Sequence, residues 1–183
     1  MSLVGQILDL YGARGAGAYF GERVSMTEHG LQAAHFAQAE RAPEALILAA
    51  LLHDVGHLLE DVPDAIEDWR ADARHEEVGA RWLARRFGPE VSEAVRLHVP
   101  AKRYLCATDA GYFAMLSPAS VHTLGLQGGP MKAAEVALFA KEPYHREAVR
   151  VRRWDDQGKV AGLKTAALDE YARLIQTLAR PGA

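Results

Sequence analysis

His53 and Asp54 stand side by side, with His57 one helical turn further on, at the end of the apolar run ALILAALL (Ala45 to Leu52). An imidazole or carboxylate left unpaired in an apolar setting costs on the order of 2–7 kcal/mol, so this pair needs a compensating partner. A metal ion would provide one, by pairing the carboxylate charge and fixing the imidazole tautomer. Two ligands do not fill a metal shell. His29, His75 and His98 also lie beside apolar residues, and the series His29, His53, His75, His98 advances by 24, 22 and 23 positions. One helix plus one ordinary connection fills each interval, so successive helices can each present one imidazole to a common centre. Helical bundles build dinuclear sites in this way. Nitrogen and oxygen donors without thiolate suit iron, manganese or zinc.

The elements that must position these residues read as helices. Val4, Ile7, Leu8 and Tyr11 predict a short first helix that ends at Gly12 to Gly17. Thr27 or Ser25 can cap a second, running through His29 to about Glu40. A third spans Pro43 to about Leu59, and Asp61, Pro63 and Asp64 mark a loop. His75, Val78, Trp82 and Leu83 share a face of a fourth helix that stops at Phe87 and Gly88. Pro89 starts a fifth through His98, which Pro100 bends or ends, and Lys102 to Met115 is helical again. Ser117 to Pro130 reads as a Gly, Ser and Pro-rich loop, Met131 to Lys141 as a helix, Pro143 to Gly158 as a polar stretch, and Ala166 to Leu178 as the last helix. Strand signals are nearly absent, so the expected class is all-α: a helical bundle with a dinuclear metal site in its core.

The 183 residues suit one domain, residues 1–183. Nearly half the residues are apolar, yet no apolar run approaches the ~20 needed to cross a bilayer, and the start lacks signal-peptide features. A soluble, cytoplasmic protein with no membrane partner is expected. The single cysteine, Cys106, excludes an internal disulfide and a cysteine zinc site. A net charge of −3 gives no general attraction for nucleic acid, despite basic clusters at Arg81, Arg85 and Arg86 and at Arg150, Arg152 and Arg153.

His29, the HDVGH segment from His53 to His57, and the late Asp155 resemble the HD-domain superfamily of helical metalloproteins, most of them phosphohydrolases. Tyr19-Phe20-Gly21-Glu22, HVPAKRYL (His98 to Leu105), LQGGPM (Leu126 to Met131) and RRWDDQGK (Arg152 to Lys159) narrow the likeness to the PhnZ-like branch of mixed-valent di-iron oxygenases, which break carbon-phosphorus bonds. The resemblance covers about residues 18 to 160.

It implies two iron ions, Fe(II)/Fe(III). His29, His53, Asp54 and Asp155 would hold one, and Asp54 would bridge to a second held by His75 and His98. Asp156 competes for the role of Asp155, which is preferred because it directly follows Trp154 in the matching motif. His57 would either reach the substrate or act as a hydrogen-bond partner behind the ligands. Tyr19 would occupy an iron position at rest and swing out when Glu22 meets the substrate's cationic amine. Lys102, Ser120, Gln127 and Arg152 would take the phosphonate, ahead of His122 and Thr123. The implied substrates are dioxygen and a small phosphonate: 1-hydroxy-2-aminoethylphosphonate or its N-trimethylated analogue, giving phosphate and glycine or glycine betaine. The alternative is a metal-dependent phosphohydrolase of nucleotides or small phosphate esters, since two cations can also activate water. A phosphohydrolase has no comparable reason to block its metal with a tyrosine.

Overall fold

The computed structural model describes residues 1–17, 19–59, 72 and 74–182, and its regular elements are all helical. In chain order they are α1 (Leu3–Arg14), α2 (Met26–Ala39), α3 (Glu44–Leu52), α4 (Val55–Leu59), α5 (His75–Ala84), α6 (Pro89–Arg96), α7 (His98–Thr108), α8 (Pro118–Leu126), α9 (Ala133–Phe139), α10 (His145–Gln157) and α11 (Ala172–Leu178). The all-α class is as expected. The loop predicted at Asp61 to Asp64 lies outside the described residues. Among the described residues no helix is long and apolar enough to cross a membrane.

Local chemistry sets the helix starts. The Ser2 hydroxyl accepts from Gly5 N–H at 3.1 Å to cap α1. Ser25, rather than Thr27, caps α2 with a reciprocal capping box to Glu28. Three boundaries differ from expectation, two of them at the predicted metal ligands. The single helix predicted over Pro43 to Leu59 breaks at His53 and Asp54 into α3 and α4. The helix predicted through His98 ends at Arg96, and α7 begins at His98. Pro100 therefore sits in the first turn of α7, where a missing N–H costs nothing, and does not end a helix. Past Thr108 the helix expected as far as Met115 gives way to a turn and a short 3-10 segment, Phe113–Met115.

Two segments expected to be irregular are helical. In Ser117 to Pro130, the Ser117 hydroxyl accepts from Ser120 N–H and Pro118 occupies the first turn, so the turn-forming residues begin α8 and do not prevent it. The polar stretch is α10, whose inward face carries Ala148, Val151, Arg152, Trp154 and Asp155. Its buried side mixes apolar and charged residues, which hides the helical period.

The core lies between α2, α3, α6 and α10, with Ala33, Ala34, Leu48, Leu52, Ala94, Val95, Val151 and Trp154 fully enclosed. Small residues bring backbones together at two ligand-bearing crossings. A Cβ on Gly30 would lie 2.6 Å from the Leu51 carbonyl oxygen, and one on Gly56 only 2.0 Å from that of His75. Gly56 thus lets α4 meet the start of α5, placing His57 and His75 ring against ring at a centroid distance of 3.9 Å.

Candidate metal centre

Five segments converge on one buried point. α2 delivers His29, the α3–α4 break delivers His53 and Asp54, α5 and α7 deliver their first residues His75 and His98, and α10 delivers Asp155; all six are buried. Asp54 stands between two histidine pairs. Its Oδ2 lies 3.6 Å from His29 Nε2 and 3.4 Å from His53 Nε2, and its Oδ1 lies 3.1 Å from His75 Nε2 and 3.5 Å from His98 Nε2. Asp155 Oδ1 adds to the first pair, 3.3 Å from His29 Nε2 and 3.8 Å from His53 Nε2. The structure brings Asp155, not Asp156, to the histidines; Asp156 bonds to Arg152 and Tyr112.

The hydrogen bonds behind the rings show what the front atoms are arranged for. His29 Nδ1–H donates to the Gly158 carbonyl (2.9 Å), His53 Nδ1–H to Ala50 (2.8 Å) and His98 Nδ1–H to Val95 (2.7 Å). In a neutral ring with its proton on Nδ1, Nε2 carries a lone pair. His29 and His53 then aim lone pairs at each other across 3.0 Å, and His75 and His98 face each other across 3.2 Å. Asp155 Oδ1 is buried without a hydrogen-bond partner among the described residues. Such contacts are repulsive unless positive charge lies between them. These donors fit metal cations, one in the group His29, His53, Asp54 and one in the group Asp54, His75, His98.

The local field has the same sign. Burial opposes charge on His53, but Asp54 and Asp155 outweigh it and push its pKa up to about 9. Burial alone would likewise raise Asp54 and Asp155. Instead His53 and hydrogen bonds from the imidazoles hold Asp54 well below the usual carboxylate range, and Arg152 and His29 do the same for Asp155. The carboxylates are therefore ionised, and the charge they attract is cationic.

Tyr19 covers the first group. Its hydroxyl donates to Asp54 Oδ2 at 2.7 Å, and its ring stacks on His29 at 3.9 Å. Burial and then Asp54 raise its pKa well above normal, so it is a neutral phenol here. The turn that carries it bends through Phe20 in left-handed backbone (φ 42°), an uncommon conformation for a non-glycine residue. His57 stacks on His75, and burial, then the neighbouring His75, push its pKa well below the usual imidazole range.

A narrow cavity of about 40 Å³ opens beside the centre. Tyr19, Glu22, His57, Lys102, Ser120, Gln127 and Arg152 all line it, so every residue predicted to contact substrate is brought together. Lys102 Nζ donates to Thr123 Oγ1 at 2.9 Å, and burial, then Arg152, push its pKa down to about 7. Thr123 lines the cavity as well, whereas His122 is exposed. Arg152 is heavily engaged: it donates to Asp155 Oδ2 (2.7 Å), Tyr112 (3.0 Å), Ser120 (3.4 Å) and Asp156. Lys159 escapes the sequence reading. Its Nζ donates to Ser120 Oγ at 3.0 Å and lies 3.8 Å from Glu22 Oε1. The only signal for it is that it ends the RRWDDQGK motif.

Residues 18–176 match the HD domain family model. The chain is 50% identical over 165 residues, covering 87% of its length and 80% of the relative, to hydroxymethylphosphonate dioxygenase of Gimesia maris. It is 43% identical over 178 residues, covering 97% of its length and 89% of the relative, to the glycine-betaine-forming [1-hydroxy-2-(trimethylamino)ethyl]phosphonate dioxygenase of Leisingera caerulea.

Proposed function

We propose, from the premise that the chain belongs to the HD-domain family, that residues 1–183 form one HD domain that oxidises a small phosphonate with dioxygen and breaks its carbon-phosphorus bond. The metals are two iron ions in the Fe(II)/Fe(III) state: one on His29, His53, Asp54 and Asp155, the other on Asp54, His75 and His98. The observation that carries this reading is the pair of facing Nε2 contacts on either side of Asp54, with the Tyr19 hydroxyl bonded to that same carboxylate. Iron at these positions would supply the electrons that activate dioxygen, which no side chain here can do.

The side chains have separable tasks. Lys102, Arg152, Ser120 and Gln127 form a wall of two cations, a hydroxyl and an amide, suited to a phosphonate. Lys159 adds a third cation through Ser120. Gln127 Oε1 is buried without a hydrogen-bond partner among the described residues and faces the same cavity. His57, neutral and stacked on His75, can receive a hydrogen bond from the substrate's hydroxyl or phosphonate. A cavity of about 40 Å³ has room for only a few waters, so substrate enters as Tyr19 and Phe20 withdraw. Glu22 triggers this movement by drawing in a cationic amine. The substrate is therefore 1-hydroxy-2-aminoethylphosphonate or its N-trimethylated analogue, and the products are phosphate and glycine or glycine betaine. Both dioxygenase relatives are named for phosphonates with a hydroxyl on the carbon next to phosphorus, and one of those substrates carries the cation.

The test is phosphate release from these substrates, and from hydroxymethylphosphonate, by iron-loaded protein with and without dioxygen. Dioxygen-dependent release is expected, with the cationic substrates turned over better. Release that ignores dioxygen, or activity confined to phosphate esters with zinc, would replace this reading by a phosphohydrolase. Better turnover of hydroxymethylphosphonate would remove the role of Glu22 while leaving the oxygenase intact.

A further inference from the structure

Three of the four facing imidazoles are anchored from behind by a backbone carbonyl, and two of those carbonyls lie three residues earlier in the chain: Ala50 for His53 and Val95 for His98. Each belongs to the helix that ends just before the histidine. Among the described residues no helix ends just before His75. It is the first residue of α5, it follows Arg74 in left-handed backbone, and its Nδ1 is buried without a hydrogen-bond partner among the described residues. The Oε2 of the next residue, Glu76, lies 3.7 Å away. That oxygen is also buried without a hydrogen-bond partner among the described residues, and Glu76 is only 6% exposed. No lysine or arginine among the described residues pairs with it. A buried carboxylate is costly unless it accepts hydrogen bonds. One donor is within reach: a shift of less than about 1 Å makes a normal hydrogen bond.

We propose that Glu76 is the positioning residue of the second metal group, its carboxylate accepting the Nδ1–H of His75 and aiming Nε2 at the metal. This rests on the dinuclear reading above. It makes the four histidines unequal: three are oriented by neutral carbonyls and one by a negative charge. A carboxylate behind an imidazole makes the ring a stronger donor, which favours the more oxidised metal. Glu76 would thus bias the redox balance of the metal on His75 and His98 as well as hold the ring.

The experiment loads the full chain anaerobically with Fe(II) and measures iron retained against a chelator, the midpoint potential of the centre, and thermal stability. Wild type should retain two irons. Glu76→Ala should weaken one of the two by about 10–100-fold and leave the other in place. Glu76→Gln preserves shape and an acceptor oxygen without the charge. It should retain both irons better than Ala and still shift the midpoint potential upward. If Gln and Ala hold two irons at the wild-type potential, Glu76 has no such role, even where Ala lowers the melting temperature. If wild type itself retains a single iron, the dinuclear reading fails and the proposal fails with it.

Discussion

The two halves of the centre share Asp54 but are built to different standards. On the His29 side, both imidazoles are fixed by carbonyls, Arg152 holds Asp155 through Oδ2, and Tyr19 closes over the top. On the His75 side, only His98 has a carbonyl behind it, and no fourth protein ligand approaches among the described residues. The first half is over-determined and the second leaves more positions to outside ligands. Open positions are where small molecules bind, so in the dinuclear centre proposed above the asymmetry would divide the labour: one metal group would be scaffold as much as reagent, and the other free to react.

The largest effect should come from the residue that joins the halves. Asp54→Ala removes an oxygen from both groups, and iron per chain, read by metal analysis, should fall from two to near zero with loss of activity. Gly56→Ala should break the halves apart. The new methyl meets the His75 carbonyl oxygen, which costs roughly 1–3 kcal/mol or more by overpacking. Chelator challenge should strip iron from the His75 side first; simultaneous loss from both sides would mean the halves are not separable.

Smaller effects test the surroundings. Lys102 is charged below its pKa of about 7 and neutral above it. In the free enzyme, kcat/KM for a phosphonate should therefore fall as pH rises through 7, approaching tenfold per unit. Lys102→Arg keeps its charge throughout this range and should lose that limb of the profile. The mildest change is Tyr19→Phe, which removes one hydroxyl from the first half. Both irons should remain, and the resting centre should oxidise faster in air by optical spectroscopy; an unchanged rate would count against a gate at Tyr19.

How much of this was legible in the sequence follows the same divide between apolar and polar faces. His53 stands out because it ends an apolar run, and His29, His75 and His98 because they follow the same near-constant spacing on predicted helices that also carry apolar residues. Asp155 does not, because the inward face of α10 includes Arg152 as well as Val151 and Trp154; composition makes it a polar stretch, and only the motif likeness picks it out. Lys159 is hidden for a similar reason, since it lies beyond the end of α10 and acts through the Ser120 hydroxyl. The break at His53 and Asp54 is invisible to periodicity because α3 is apolar on nearly every side. In α8 the local signals of Ser117 and Pro118 are shared by turns and helix starts, and packing decides between them.

The central position of α10, packed on α2, α3, α6 and α7, has a consequence for biosynthesis. Asp155 is translated 126 positions after His29. At the usual pace of synthesis, roughly 5–20 residues per second, the growing chain spends on the order of ten seconds with His29, His53 and Asp54 made and Asp155 still missing. Throughout that interval the first half would have only three of its four proposed ligands, without its closing carboxylate or the arginine that steadies it. Arrival of α10 would therefore add Val151 and Trp154 to the core and the fourth proposed ligand in one docking event, with Tyr171 and Ile175 still to follow, so a ribosome stalled before residue 155 would carry a chain with an unfinished core and only a partial grip on metal.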